Sequence, residues 1–190
     1  MRLDVFTPIH KGLRRQLFET AIALGRTDFT SPVETEAAQK LVTECLTYLR
    51  EHADHEDHHV IPEIARLAPE LAATLAEEHP ELERAAIAID SLWSRFAPLG
   101  PEERLAMGAE LARRFQALVA MQLRHMDREE REVNAVFWAH LDDRDLGALT
   151  RRIVVSIPPA RLLHWQQQVL VPAWSAPEIA AAAARQPSPI

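Results

Sequence analysis

Four prolines cut the first 140 residues into long segments, and each sits where a helix would begin. Pro8 follows Thr7, Pro32 follows Ser31, Pro69 follows Ala68, and Pro101 precedes Glu102 and Glu103. Proline suits the first turn of a helix, because the N–H it lacks would have no partner there, and Thr or Ser just before it can cap that turn. Ser31, Pro32 and Glu34 together form a capping box. The signals predict helices over about 8–24, 32–67, 69–97 and 101–140, with Gly25 as a stop for the first and the Pro98–Pro101 turn closing the third. Pro62 and Pro80 fall inside two of these segments and are expected to bend them, since each removes a backbone hydrogen bond. Residues 143–155, 158–172 and 177–185 read as three shorter helices, and residues 186–190 as a frayed end.

The rest of the sequence agrees with an all-α fold. Ala, Leu, Glu and Arg predominate, glycine is scarce at 5, and no alternating β-branched run of the kind a strand requires occurs. A length of 190 residues suits one domain. The expected partition is a four-helix bundle over 1–140 and a helical extension over 141–190, packed on the bundle or on a dimer partner. Leu162, Leu163, Trp165, Leu170 and Trp174 are the apolar residues expected to fill the trough beside the short first helix. A net charge of −7 without a basic stripe argues against nucleic acid as a partner. No stretch reaches the roughly 18 apolar residues of a membrane span, the first residues lack a signal-peptide pattern, and Cys45 is the single cysteine, so a cytoplasmic setting is expected.

The chemistry lies in histidine–glutamate pairs. A glutamate four residues after a histidine stands about 40° around a helix and one turn along, so both side chains reach one point. Among 9 histidines, four have Glu at that position: His52/Glu56, His59/Glu63, His79/Glu83 and His125/Glu129. Chance would give about one. Three pairs fall on three successive long helices, and His10 supplies a histidine on the remaining one. His52 and Glu56 continue the apolar stripe of Leu41, Cys45, Tyr48 and Leu49, while His125 and Glu129 continue that of Leu111, Leu118 and Met121, with Val136 resuming it. Buried imidazoles and carboxylates need partners, and one shared layer of metal would satisfy them together. Antiparallel neighbours bring these residues level to within about 8 to 9 Å of helical rise. His55 or His59 would replace His52 if the register were shifted; otherwise they, His58, His140 and His164 read as supporting or surface groups. Tyr48 and Cys45 read as core residues.

His10, the His52–Glu56 pair followed by Asp57 and an Ile61-Pro62 exit, His79, and His125 followed by Glu129-Glu130 resemble the hemerythrin, or HHE cation-binding, family over residues 5 to about 140. The resemblance implies an up-down-up-down four-helix bundle holding two iron ions, with zinc or manganese as alternatives. Carried over residue by residue, it makes His10, His52, His79 and His125 terminal ligands, and Glu56 and a carboxylate of the fourth helix bridges. Oxygen-carrying members place a histidine where this chain has Glu83, and a carboxylate five positions after the last histidine, which here is Glu130. Glu129 faces the helix stripe better, at about 40° against about 140°, so Glu129 is the expected ligand with Glu130 the alternative.

Two octahedral ions offer about twelve positions, and these residues with Glu83 and a shared oxo or hydroxo leave one for dioxygen, nitric oxide or peroxide. The expected function is binding or sensing of oxygen, nitric oxide or iron. The alternatives are an oxidoreductase acting on peroxide or nitric oxide at the same centre, and a metal-free helical interaction module. Glu83, as a hard anionic ligand, would favour the ferric state and make the centre a poor reversible oxygen carrier.

Overall fold

The computed structural model describes residues 2–184, and every regular element among them is helical. Helix α1 runs from Thr7 to Arg26. Its cap is the carboxylate of Asp4, which accepts the N–H groups of Phe6 and Thr7 at 3.0 and 2.9 Å, so Thr7 opens the helix without capping it. Helix α2, Pro32–His55, starts as expected with Ser31 Oγ accepting the Glu34 N–H at 3.3 Å. It continues through a π-helical turn, Glu56–Val60, into α3, Ile61–Leu67. Helix α4, Pro69–Asp90, contains Pro80 and ends before the predicted boundary, where a 3₁₀ turn, Trp93–Arg95, follows. Helix α5, Pro101–Arg128, passes through a second π-turn, Glu129–Val133, into α6, Asn134–His140. Then come α7, Asp143–Ser156, α8, Pro159–Trp165, a third π-turn, Gln166–Leu170, and α9, Ala176–Ala184. The end predicted to fray, residues 186–190, lies outside the described residues.

The four long helices pack in a ring, with α1 and α4 each touching both α2 and α5. Along the four long helices a layer of buried histidine and glutamate divides the apolar core into two clusters. One cluster contains Leu13, Leu17, Leu49, Leu82, Leu118 and Met126; the other contains Phe6, Val60, Ile64, Leu75, Val133 and Phe137. His10 lies between Phe6 and Leu13, Glu56 between Leu49 and Val60, His79 between Leu75 and Leu82, and Glu129 between Met126 and Val133. The polar layer therefore has an apolar core on each side along the bundle axis.

The two π-turns explain a departure from the expected register. Each begins at a buried glutamate whose carbonyl accepts an N–H five residues on, Ile61 to Glu56 and Asn134 to Glu129. A π-turn holds one extra residue, so the inward stripe beyond it arrives later than α-helical spacing predicts. Val133 and Phe137 are thus fully buried, and Val136, expected to resume the stripe, is only half-buried. Past the first π-turn, Pro62 comes one residue after Ile61 and has no N–H to leave without a partner.

The C-terminal helices lie against the ring. Leu146 and Leu149 of α7 are buried in the second cluster, and Trp165 and Val169 in the first. Gly12 permits the approach of the third π-turn, since a Cβ there would stand 2.7 Å from Val169 Cγ1 and 2.8 Å from its carbonyl oxygen. Glu51 fastens α8 to α2, accepting from Arg161 Nε at 2.9 Å and Trp165 Nε1 at 2.7 Å. Leu163, predicted to fill the trough, is 52% exposed, and Val169 packs there instead.

Candidate metal centre

Each long helix delivers at least one imidazole to the polar layer. His10 of α1 and His52 of α2 approach with their Nε2 atoms 3.1 Å apart, and His79 of α4 and His125 of α5 do the same at 3.1 Å. Two nitrogens each about 2.1 Å from one ion and about 90° apart stand roughly 3.0 Å from each other, so both pairs have the spacing of neighbouring ligands. Glu56 and Glu129 lie between the pairs. Glu56 reaches His52 Nε2 at 3.1 Å through Oε1 and His79 Nε2 at 3.6 Å through Oε2. Glu129 reaches His10 Nε2 through Oε2 and His125 Nε2 through Oε1, both at 3.4 Å. Two four-residue groups result, His10/His52/Glu56/Glu129 and Glu56/His79/His125/Glu129, and they share both carboxylates.

Protein atoms alone leave this layer unsatisfied. Both oxygens of Glu56 and Oε2 of Glu129 are buried without a hydrogen-bond partner. Such groups cost stability unless something positive meets them. The outer nitrogens sharpen the case. His10 Nδ1 donates to Glu130 at 3.0 Å, His79 Nδ1 to Asp57 at 2.7 Å and His125 Nδ1 to Glu78 at 2.7 Å. A neutral imidazole that donates from Nδ1 carries its lone pair on Nε2, so His79 and His125 turn two lone pairs toward each other. A cation between them would convert that repulsion into two ligand bonds, and the donor set of imidazole and carboxylate suits iron, zinc or manganese.

Protonation follows the same crowding. Burial and the neighbouring charge of Glu56 push Glu129 well above the ordinary carboxylate range. Burial opposes ionisation of Glu56 as well, but His52 and His10 hold it well below that range. Burial disfavours the His10 cation, yet Glu130 and Glu56 outweigh it and raise its pKa, whereas burial dominates at His125 and lowers it. Glu130 is partly desolvated, and His10 and Arg14 nevertheless hold it at about 2.

The chain matches the family model of the hemerythrin HHE cation-binding domain over residues 1–137. It belongs to that family. No curated protein matches the chain. The hemerythrin match ends within α6, so α7, α8 and α9 lie beyond it.

Within the hemerythrin domain, six of the seven residues singled out in the sequence meet in one layer: His10, His52, Glu56, His79, His125 and Glu129. Glu83 does not. Its side chain is 42% exposed and pairs with Arg50 at 3.3 Å, on the rim of a cavity of about 360 Å³ that also reaches His52 and His79. The space beside His79 is taken by Glu56, which approaches across the bundle, and the low reduction potential expected from a Glu83 ligand loses its structural basis. Glu130 sits behind His10, paired with Arg14 at 2.7 Å, while Glu129 occupies the layer. His59 faces Ser156, and Glu63 pairs with Arg66, so that His–Glu pair lies outside the site. Tyr48 is fully buried but points to Glu44 and His164, at 2.7 and 2.8 Å. Burial pushes the Cys45 thiol up to about 12, leaving it unreactive.

Asp57, Glu78 and Glu130 hold the outer nitrogens of His79, His125 and His10, a supporting place that sequence spacing did not assign to them. Their common signature is adjacency, because each neighbours a residue of the layer and reaches a histidine on another helix. Asp57 follows Glu56, Glu78 precedes His79, and Glu130 follows Glu129. Taken in order, α2 supports α4, α4 supports α5, and α5 supports α1. No carboxylate of α1 supports His52 among the described residues, so the ring is open at that edge. Glu78→Gln keeps the shape of its contact with His125 and removes the charge. Metal affinity should fall about 10- to 100-fold, measured by competition with a chromogenic chelator.

Proposed function

We propose that this protein holds two iron ions, His10 and His52 on one and His79 and His125 on the other, bridged by Glu56 and Glu129, and that it binds or senses oxygen, nitric oxide or iron. The observation that carries this reading is the set of three buried carboxylate oxygens without hydrogen-bond partners, facing two pairs of converging Nε2 atoms. The arrangement suits an up-down-up-down bundle over residues 1–140, in a reducing cytoplasm. When bound, the iron pair supplies electron storage and a coordination position for a diatomic ligand or peroxide. With Glu83 outside the layer, two octahedral ions have one position more than the sequence count allowed.

The chain's own contribution is positional. Asp57, Glu78 and Glu130 fix three imidazoles with Nε2 inward, and the two apolar clusters bound the layer at either end. The cavity past Arg50 and Glu83 is a route for a small polar ligand. The test is metal analysis of freshly purified protein with electronic spectra under anaerobic and aerated conditions. About two irons per chain and a spectrum that changes with oxygen or nitric oxide are expected. Loading should also release protons, because His10 and Glu129 both have raised pKa values and must lose any protons they carry to act as ligands. Acidification should therefore weaken binding. Calorimetry in buffers of different ionisation enthalpy measures the protons released. Metal-free protein whose spectrum never responds, even after reconstitution, would exclude this function.

A further inference from the structure

The residues beyond the hemerythrin match do more than cover α1 and α2. Together with the chain's first residues they line a second cavity, of about 340 Å³ and partly open to solvent, which also reaches His52. Its walls are apolar: Val5 and Ile9 on one side, Ile153, Ile157 and Leu162 on the other, with Trp165 among them. A cavity of ~150 Å³ lined by such side chains stays dry and accepts benzene. This one has more than twice that volume, within the roughly 300–1,000 Å³ range of small-molecule sites. Apolar walls of this extent, left facing solvent, would gain by being covered with an apolar occupant.

Polar groups are confined to a few places. Asp4 is committed to capping α1 and to Asn134, and the Thr150 hydroxyl donates to Leu146. The half-buried His55 imidazole and the edge of His52 remain at one end, next to Glu56. This is also where the ring of supporting carboxylates is open.

We infer that this cavity is a binding site for a compact apolar molecule carrying one hydroxyl or carbonyl group, its body held by α7 and α8 and its polar end at His55 and His52. The size fits a two-ring aromatic or a medium-length hydrocarbon chain, and it excludes a phosphorylated or multiply charged ligand, for which the walls offer no partner. The apolar walls carry the inference, and they do not depend on the metal centre being loaded.

2-Naphthol is a suitable probe, titrated calorimetrically into the full chain both metal-loaded and chelator-treated. Saturable 1:1 binding is expected in both states, with a dissociation constant in the micromolar range. Ile153→Trp, which fills the cavity, should weaken binding at least tenfold. Val155→Trp, two residues on at a side chain 79% exposed, should leave it within twofold. If Ile153→Trp loses helix content, Val154→Trp blocks the same cavity from a wall position already 40% exposed. No saturable binding to the parent chain in either state, or equal binding by the cavity-filling and control variants, would overturn the site. Because the chelated arm requires no metal, a failure of the di-iron reading leaves this result intact.

Discussion

Glu56→Ala should empty both ion positions at once, taking the metal content from about two per chain to well under one. Glu56 belongs to both four-residue groups, so removing it takes a ligand from each and leaves Glu129 as the sole shared carboxylate. His10 belongs to one group only. His10→Ala should therefore retain the ion held by His79 and His125. Metal analysis after gel filtration, with circular dichroism to establish that helix content is kept, distinguishes the two variants. Equal losses in Glu56→Ala and His10→Ala, or two ions retained in Glu56→Ala, would remove Glu56 from its bridging place.

Removing the metal from the unaltered chain should lower the melting temperature by about 8 to 16 °C. A ligand present at a thousand times its dissociation constant stabilises a fold by about 4 kcal/mol. In a chain of this size each kcal/mol moves the midpoint by about 2–4 °C. The four long helices meet at the layer, and without a cation it holds buried carboxylate oxygens that no protein donor satisfies. Thermal unfolding followed at 222 nm, before and after exhaustive chelation and again after reloading, measures the effect. A midpoint that chelation leaves in place would mean that the layer contributes nothing through a bound ion.

Much of this site was legible because helical periodicity is a strong constraint. His52/Glu56 and His125/Glu129 stand at a spacing that puts both side chains of a pair at one point, on faces otherwise apolar. His79 was marked by the same spacing, through its pair with Glu83, whereas His10 was legible only from its place on the remaining helix and through the family resemblance, since an isolated histidine on a helix has no signature of its own. Glu83 has the same spacing from His79 and lies outside, because spacing fixes the direction of a side chain and leaves open which neighbour arrives first. Here Glu56 crosses the bundle to His79, and Arg50 draws Glu83 outward. The supports at Asp57, Glu78 and Glu130 are defined by which helix faces which, a relation between distant parts of the chain that local pattern does not encode. Val169 was missed for a similar reason: it enters the first apolar cluster across Gly12, a residue with no side chain to mark the contact in the sequence.

The π-turns were also invisible in the sequence, and they give each carboxylate-bearing helix two independent phases. Upstream of Glu56 and Glu129, the rotation of the helix is dictated by where imidazole and carboxylate must point. Downstream, it is dictated by the apolar floor to which Val60, Ile64, Val133 and Phe137 belong. An uninterrupted α-helix would tie these demands together, so that any change improving one would turn the other away from its target. With a slack turn between them, the floor can be recut to fit α7 or another cover while the bearing of the ligands is left alone. The two halves of the rod are joined in length and uncoupled in twist.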